Sequence, residues 1–318
     1  MRVQTIIVNW NQTDLTLQCL AALRDAGVAE NSIWLVDNGS QPSAAPAIAA
    51  RFPAVNLVCL AENRGFAGGC NIGANASRDA QTPTDPRSLI PDPRTDDALF
   101  LLNNDALVEP DTLHILIAAL TADPHLAAVS PKVYYAGTER VIQSTGLRVD
   151  QNSGTARMLN SNEPDRGQAD LPADREGLFG CAMLIRRSVW AQSGGFWEPF
   201  FAYAEETDWC LRVRKAGWRL RYVPQAVVWH CTSSSLGWDS PLKLYLITRN
   251  QLFLRRRHRG RGWARWRGLL YAAYLLGRSS LHYARTSQWQ RLRAVWLAVG
   301  DYARGISGNA RTPTLERR

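Results

Sequence analysis

Four predicted strands end in carboxamide or carboxylate side chains, which can bind a ligand that carries many hydrogen-bonding groups. The strand ends read Asn9-Trp10-Asn11, Asp37-Asn38, Glu62-Asn63-Arg64-Gly65 and Asn103-Asn104-Asp105. Asn, Asp and Gly are also the usual turn residues, so each strand end taken alone favours a turn. Ligands of open parallel sheets bind beyond the carboxyl ends of the strands. Together, the four ends therefore predict a pocket for a sugar- or nucleotide-like ligand.

A second group of acids lies in the segment "EPFFAYAEETDWCLRVRKAG". Glu205, Glu206 and Asp208 fall at the start of a predicted helix, where acidic side chains are favoured. Asp208 and Arg212 are four positions apart and can form an ion pair. That pair accounts for Asp208 but not for two adjacent glutamates behind an aromatic stretch, so we predict a site wall there with a general base. His230 ends the run "AVVWH", and a single histidine at a strand end is more often structural than a ligand.

Alternating strands and helices position these residues. The runs "QTIIVNW", "SIWLVDNGS", "VNLVCLAENRG" and "ALFLL" predict strands, and "TDLTLQCLAALRDAG" predicts a helix with Thr13 as N-cap and Gly27 at its end. Continuous apolar runs are typical of parallel strands buried on both faces, so we predict an α/β doubly wound fold. The glycine-rich segment "ENRGFAGGCNIGAN" lacks the G-x-G-x-x-G spacing, which disfavours NAD binding.

The second half of the chain predicts further strands and then helices. Residues 78–97 and 150–177 are polar and predict loops. The runs "HLAAVSPKVYY" and "LFGCAMLIRR" predict core strands, another strand follows Gly217, and "AVVWH" predicts a separate last strand. Beyond residue 240 the periodicity is helical.

Charge is divided unevenly along the chain, whose net charge is +9. Residues 249–318 hold 16 arginines and two acids, or +14, whereas residues 1–248 hold 21 basic and 26 acidic residues, or −5. Four of the 12 tryptophans also lie in this basic segment. The asymmetry indicates an anionic partner, either a membrane surface or a nucleic acid.

Cysteine spacing and hydropathy bear on the compartment. The six cysteines show no C-x-x-C pair, which favours thiols in a reducing compartment over disulfides or zinc. The first residues lack the apolar region of a signal peptide. No segment approaches the roughly 18 apolar residues of a membrane span. We therefore expect a cytoplasmic protein.

Six motifs, taken in order, resemble those of one enzyme family. They are "VNWN", "VDNGS", "ENRGFAGGCNIGAN", "LFLLNNDALVEPDTL", "GGFWEPFFAYAEETDWCLRVRKAGWRLRYVPQAVVWH" and "LITRNQLFLRRR". The set resembles the family 2 inverting glycosyltransferases of the GT-A fold, and most of all the bacterial rhamnosyltransferases of cell-surface polysaccharide synthesis. The resemblance implies a GT-A catalytic domain with a Rossmann-like mixed sheet over residues 1–240. A basic helical C-terminal extension would then occupy residues 241–318.

The resemblance implies roles in donor binding. Asn103-Asn104-Asp105 stands where the family carries its D-x-D element, so Asp105 would hold Mg²⁺ or Mn²⁺ on the donor diphosphate and Asn104 would face the ribose. His230 matches a histidine that helps to hold the metal or the diphosphate. The other matches to donor-binding positions are Trp10, Asp37, Asn63, Gly65 and Asn71. Two of the three D-x-D positions are amides here, which lowers the negative charge available to a cation.

The resemblance also implies a reaction. Glu206, the second residue of the acidic pair, matches the catalytic base and would take the proton of an acceptor hydroxyl, whose oxygen displaces the nucleoside diphosphate. By analogy, the expected donor is dTDP-rhamnose and the expected acceptor is a saccharide or a lipid-linked saccharide. The basic segment itself, residues 249–318, predicts docking through an amphipathic helix on the anionic inner face of the cytoplasmic membrane, and an intramolecular helical cap on the catalytic domain is the alternative.

Two other interpretations stay open. The amide-rich triplet is compatible with a catalytically weak homologue that binds sugar nucleotides. The basic segment with its tryptophans is compatible with a nucleic-acid-binding protein. That second interpretation leaves the acidic strand-end pocket without a purpose, so we expect no nucleic-acid partner.

Overall fold

The computed structural model describes residues 1–79, 97–150, 155–231, 240–258 and 263–309, so nearly all of the predicted loop at 78–97 lies outside the described residues. Within these residues, eleven strands form one mixed sheet and two form a small second sheet. The strands are β1 Val3–Asn9, β2 Ile33–Asn38, β3 Asn56–Leu60, β4 Ala98–Asn103, β5 Ala106–Val108, β6 Leu126–Tyr135, β7 Val141–Ser144, β8 Leu147–Asp150, β9 Thr155–Met158, β10 Glu163–Pro164, β11 Ala173–Asp174, β12 Ala182–Arg186 and β13 Arg219–His230. The helices are α1 Thr13–Asp25, α2 Ala45–Arg51, α3 Gly65–Asp79, α4 Thr112–Ala122, α5 Arg187–Ser193, α6 Glu205–Lys215, α7 Pro241–His258, α8 Trp263–Arg285 and α9 Trp289–Arg304.

The parallel half of the sheet has the order β4-β1-β2-β3. Side chains alternate between the faces of each strand, so Ile7 packs with α1, α2 and α4 while Ile6 and Val8 pack with α3, α5 and α6. Burial on both faces explains the continuous apolar runs and confirms the predicted α/β fold. Because the four strands run the same way, their carboxyl ends meet at one edge of the sheet.

Glycines bring α3 close to the sheet. A Cβ atom at Gly69 would lie 2.6 Å from Cγ1 of Val8, and one at Gly73 would lie 2.6 Å from Cγ2 of Ile6. Either contact is far inside van der Waals distance, so any larger residue would push the helix away. The glycine-rich segment therefore serves close packing of helix on strand, which needs no dinucleotide-binding spacing.

The structure corrects three predictions of secondary structure. Gln12 rather than Thr13 is the N-cap position of α1, and Thr13 is the first helical residue. The two strands predicted after Gly217 are one continuous strand, β13, which pairs in parallel with β6 and absorbs Pro224 in a register shift. The predicted loop at 150–177 contains short strands: β9 pairs with β8, β10 with β7 and β11 with β13.

The C-terminal helices form a packed group. Helix α9 packs on both α7 and α8, and the hydroxyl of buried Tyr245 in α7 donates a hydrogen bond of 2.9 Å to Oδ2 of buried Asp301 in α9. Across the described ranges, no helix combines the length and the hydropathy needed to cross a membrane. All six cysteines are free thiols, and four of them, Cys19, Cys70, Cys181 and Cys210, are buried.

Candidate active site

A cavity of about 580 Å³ lies beyond the carboxyl ends of the parallel strands. Its wall is formed by strand ends, by the segment 201–207 that leads into α6, and by one side of α7. Small-molecule sites commonly measure roughly 300–1,000 Å³. Seven of the nine predicted site residues line the cavity, namely Trp10, Asn63, Gly65, Asn104, Asp105, Glu206 and His230. The structure places Asp37 and Asn71 behind the wall.

Asp37 is 2% exposed, and its carboxylate is hydrogen-bonded to neighbouring side chains and to a main-chain N–H. Its Oδ2 accepts hydrogen bonds from the Ser43 hydroxyl at 2.7 Å and the Ala44 N–H at 2.9 Å, and Oδ1 accepts one from Asn9 Nδ2 at 3.2 Å. Burial acts to raise the pKa of Asp37, but hydrogen bonds from Ser40, Ser43 and Ala44 outweigh burial and lower it. The charged side chain therefore organises the loop after β2, and its predicted contact with the nucleoside stays a prediction.

Asn71 ties α3 to the segment before α6. Its Oδ1 accepts the N–H of Phe196 at 2.9 Å, while Nδ2 donates to the Phe196 carbonyl at 2.9 Å and to Oε1 of Glu198 at 3.1 Å. The side chain thus supports the wall from outside the cavity. Its predicted contact with the donor also stays a prediction.

The amides at the strand ends bond largely to one another. Nδ2 of Asn104 donates to Oγ1 of Thr16 at 3.0 Å and to Oδ1 of Asn9 at 3.3 Å, and Nδ2 of Asn38 donates to Oδ1 of Asn63 at 3.1 Å. The bonds of Asn104 join the end of β4 to β1 and α1, and the bond of Asn38 joins the end of β2 to the segment after β3, at the floor of the cavity. Several strand-end amides therefore stabilise the floor, a role that the sequence pattern cannot separate from ligand binding.

Asp105 and His230 meet where β4 and β13 end. Nε2 of His230 lies 3.0 Å from Oδ1 of Asp105 and 3.2 Å from Nδ2 of Asn103, and Nδ1 lies 2.9 Å from Oε1 of Gln143. Burial acts to lower the pKa of His230, but Cys181 and Asp105 outweigh burial and raise it well above its usual value. The imidazole is thus fixed on both of its nitrogen atoms.

Asp105 and His230 are the groups that would hold a divalent cation here, together with the phosphates of a substrate. Their Oδ1–Nε2 distance of 3.0 Å is that of a hydrogen bond, so binding of a cation would replace the proton that the two groups share. No cluster of three or more His, Cys, Asp or Glu suited to a metal occurs among the described residues. Since Mg²⁺ is commonly held by one or two carboxylates together with phosphate oxygens, these two residues suffice only with a bound diphosphate.

Glu205 and Glu206 occupy the first turn of α6 and both line the cavity. Glu205 is 5% exposed, and its Oε2 has no hydrogen-bond partner within the described ranges. Burial raises the pKa of both carboxyls, and the charge of Glu206 raises that of Glu205 further. A carboxylate with a raised pKa in a cavity is well suited to accept a proton from a substrate.

Asp208 belongs to a buried ion network outside the cavity wall. Its Oδ2 lies 2.8 Å from Nε of Arg212, and its Oδ1 lies 2.8 Å from both Nε of Arg257 and Nε2 of His258. Burial acts to raise the pKa of Asp208, but hydrogen bonds from His258 and Arg257 and the charge of Arg212 lower it to about 2. The predicted ion pair with Arg212 is confirmed, and a carboxylate so engaged is a poor base.

Several residues of the cavity wall are not predicted by the sequence motifs. Gln143 orients His230 from a strand whose pattern gives no functional signal. Gly180 makes room for Glu206, because a Cβ there would lie 3.2 Å from Cγ of Glu206. Lys243 and Gln251 line the cavity from α7, and their helical spacing could have placed them on one face.

The architecture matches solved glycosyltransferases. The fold is similar to that of GalNAc-T7 solved with UDP, GalNAc and Mn²⁺, with a TM-score of 0.58 and 16% identity over 80% of this chain and 48% of that one. This chain thus spans about half the length of that protein. It is also similar to the mannosyltransferase PcManGT of Pyrobaculum calidifontis in complex with GDP-Man and Mn²⁺, with a TM-score of 0.52 and 16% identity over 95% of this chain and 87% of that one. The chain therefore has the GT-A fold of these structures.

The family follows from the sequence match. The model described as "Glycosyltransferase like family 2" matches residues 2–250, and the chain belongs to that family. A curated relative, the N-acetylglucosaminyl-diphospho-decaprenol L-rhamnosyltransferase of Mycobacterium tuberculosis, is 30% identical over 291 residues, which are 87% of this chain and 92% of the relative. Rhamnosyltransferase WbbL of Escherichia coli K12 is 28% identical over 137 residues, or 42% of this chain and 51% of the relative. These matches confirm the resemblance inferred from the motifs.

Proposed function

We propose that this glycosyltransferase is an inverting rhamnosyltransferase that moves L-rhamnose from dTDP-rhamnose to a saccharide carried on a lipid diphosphate. The activity in the name of the Mycobacterium tuberculosis relative supports both the sugar and the acceptor class. The observation that carries the proposal is one cavity that holds a buried acid pair, Glu205 and Glu206, together with the contact between Asp105 and His230.

Donor binding would use the wall at the strand ends. We propose that Trp10, Asn63, Gly65 and Asn104 contact the nucleotide, and that Asp37 and Asn71 hold the backbone behind them. Asp105 and His230 would hold Mg²⁺ or Mn²⁺. When bound, such a cation neutralises the charge of the leaving diphosphate.

Glu206 is our proposed base. It accepts the proton of the acceptor hydroxyl, whose oxygen bonds to the anomeric carbon while the bond from that carbon to the diphosphate oxygen breaks on the opposite side. This single displacement inverts the configuration of the sugar. Glu206 is the more exposed of the two glutamates and packs over Gly180 at the cavity wall. Asp208 is excluded because its carboxylate already binds three basic groups away from the cavity.

Helices α8 and α9 support a membrane-facing role. Leu270, Tyr274 and Leu281 are 70%, 58% and 52% exposed, and their spacing places them on one face of α8. Trp289 and Trp296, seven residues apart on α9, are 62% and 57% exposed. Apolar and aromatic side chains beside arginines suit the interface of an anionic membrane.

We therefore propose peripheral docking on the inner face of the cytoplasmic membrane. Arg278, Arg285 and Arg293 are exposed on the same two helices. Each basic residue near an anionic surface contributes roughly 1 kcal/mol. A membrane-bound, lipid-linked acceptor would then be presented close to the enzyme.

The test is transfer to a defined acceptor. Purified protein would be incubated with dTDP-rhamnose, Mn²⁺ and a synthetic N-acetylglucosaminyl diphosphate lipid, with UDP-GlcNAc and GDP-mannose as alternative donors. We expect dTDP release that depends on the acceptor, and a product with inverted anomeric configuration. Retention of configuration would contradict the displacement mechanism. Binding of a sugar nucleotide without hydrolysis or transfer would instead indicate a non-catalytic homologue.

A further inference from the structure

The segment 200–204, which leads directly into the acid pair, has a strained backbone. Phe201 has φ 68° and ψ −64°, and the N–H of Ala202 donates to the Phe200 carbonyl at 2.8 Å, which is a γ-turn of the rare kind with positive φ. Tyr203 and Ala204 follow with φ of 70° and 77°. Residues other than glycine keep such conformations only where their surroundings fix them.

Contacts from other parts of the chain fix this segment. Asn250 of α7 is fully buried, and its Nδ2 lies 2.8 Å from three carbonyl oxygens of the segment. The oxygens belong to Phe200, Ala202 and Tyr203. The Phe201 carbonyl accepts a hydrogen bond from the N–H of Ala67 at 3.2 Å. A Cβ at Gly65 would lie 2.2 Å from the same carbonyl oxygen, so a glycine is required there. Every carbonyl from 200 to 203 is therefore held by a distant element.

Arg249 sets the orientation of the Asn250 amide. Its Nε and Nη2 donate to Oδ1 of Asn250 at 3.1 and 3.0 Å, so the NH₂ group of Asn250 must point toward the carbonyls. Nη2 also donates to the Phe200 carbonyl at 3.1 Å, and Nη1 donates to the Gly308 carbonyl at 2.8 Å. Arg249 is fully buried. Its Nη1 also donates to the Tyr245 hydroxyl at 3.3 Å, and that hydroxyl donates to Asp301, so the buried guanidinium connects segment 200–204 to the packed C-terminal helices.

We propose that Arg249 and Asn250 are positioning residues that hold segment 200–204 in the conformation that directs Glu205 and Glu206 into the cavity. This inference rests on the proposed role of the acid pair in proton transfer. Neither positioning residue lines the cavity wall, so both act through the backbone that they hold. Arg249 and Asn250 are the pair "RN" of the motif "LITRNQLFLRRR", and this proposal assigns them the positioning of the acid pair.

Matched controls separate positioning from general loss of stability. Asn56 also donates from Nδ2 to two carbonyls, those of Asn31 and Ile33, at 3.0 and 3.1 Å, and it lies away from the cavity. Arg186 is likewise buried and donates to main-chain carbonyls. Asn56→Ala and Arg186→Lys are therefore controls for Asn250→Ala and Arg249→Lys.

The experiment combines hydrogen exchange with kinetics on the full-length protein. In Asn250→Ala and Arg249→Lys we expect faster amide exchange in peptides spanning 198–207. We also expect kcat to fall at least about tenfold, or about 1.4 kcal/mol, with donor KM changed less than about threefold. The controls should lower Tm without either effect.

The possible results separate the positioning role from the proposed function. Wild-type exchange and kcat in both positioning variants would overturn the inference, and so would an equal loss of kcat in the controls. If Asn250→Ala does not fold, Arg249→Lys, which keeps the charge and the apolar stem, decides alone. If the wild-type protein transfers no sugar, the proposed function fails, while hydrogen exchange still shows whether these residues hold the segment.

Discussion

Replacing Glu206 with glutamine should separate catalysis from donor binding. The substitution keeps the shape of the side chain and removes the proton acceptor. A general base typically contributes roughly 10²–10⁴-fold to the rate, which corresponds to about 2.7–5.4 kcal/mol of transition-state stabilisation. We expect kcat to fall within that range. Donor Kd should change less than about threefold, because the proposed nucleotide contacts lie at the strand ends rather than on α6.

The comparison with the two neighbouring acids makes the test specific. Glu205→Gln should lower kcat less and should raise Tm at neutral pH. Burial raises the pKa of Glu205 in the folded state, so at pH values above the unfolded-state pKa the wild-type carboxyl destabilises the fold. The gain in Tm from glutamine should therefore vanish at acidic pH, where Glu205 is protonated in both the folded and the unfolded state. Asp208→Asn should lower Tm, because three basic groups stabilise its charged form.

Three measurements are needed: dTDP release gives kcat, calorimetry gives the donor Kd, and thermal unfolding gives Tm. A Glu206→Gln enzyme with normal kcat would refute the assignment of the base. A larger loss in Glu205→Gln would move the base to Glu205. Loss of donor affinity in Glu206→Gln would show that this side chain belongs to the donor site.

Three further variants test other parts of the structure. Asp105→Asn should weaken Mn²⁺-dependent donor binding by about tenfold or more, measured by calorimetry with and without EDTA. Replacing both Trp289 and Trp296 with serine should reduce sedimentation with anionic vesicles, while neither form should bind neutral phosphatidylcholine vesicles. Asp165→Asn should lower the free energy of unfolding by about 1–2 kcal/mol at pH 7, because the hydrogen bonds of Asp165 with Lys132 and Tyr134 outweigh burial and lower its pKa from 3.8 to about 2. That difference, present above the unfolded-state pKa, should close as pH falls from about 4 to about 2, as urea unfolding at several pH values would show.

Exposed residues away from these sites supply the controls. They are Asp14→Asn for the metal test, Leu171→Ser for the vesicle test and Asp25→Asn for the pH test. Donor binding to Asp105→Asn with the wild-type affinity in the presence of Mn²⁺ would contradict the metal assignment. Unchanged vesicle binding in the double Trp variant would contradict docking through α9. A stability difference for Asp165→Asn that persists at pH 2 would show that lost packing, rather than lost charge, causes it.

Burial decides how much of the fold the sequence predicts. The parallel strands β1, β2 and β4 are covered on both faces, so their apolar runs identify them and place their carboxyl ends together. The short strands β9 to β11 are largely exposed and polar, and their pairing depends on partners elsewhere in the chain. The continuity of β13 depends on a register shift at Pro224, which a sequence pattern interprets as a break.

The site also has one part that the sequence predicts and one part that it does not. The resemblance to the family implies Asp105, Glu206 and His230 as site residues, and the structure brings all three to one cavity. The pattern of strand-end amides could not show that Asn104 bonds to Asn9 and Thr16, because those bonds join residues about 90 positions apart. Long-range hydrogen bonds leave no periodic signal in a sequence.

The domain boundary predicted at residue 240 separates segments that line the same cavity. Lys243 and Gln251 of α7 line the cavity, while Arg249 on the same helix holds the segment that carries the acid pair. The end of α9 joins this contact, since Gly308 accepts a hydrogen bond from Arg249 and donates one to the Pro199 carbonyl at 2.8 Å. An α/β domain that ended at residue 240 would keep Asp105 and His230 but lose the contacts that orient Glu205 and Glu206. The C-terminal helices therefore complete the proposed proton-transfer site, whatever they contribute at a membrane surface.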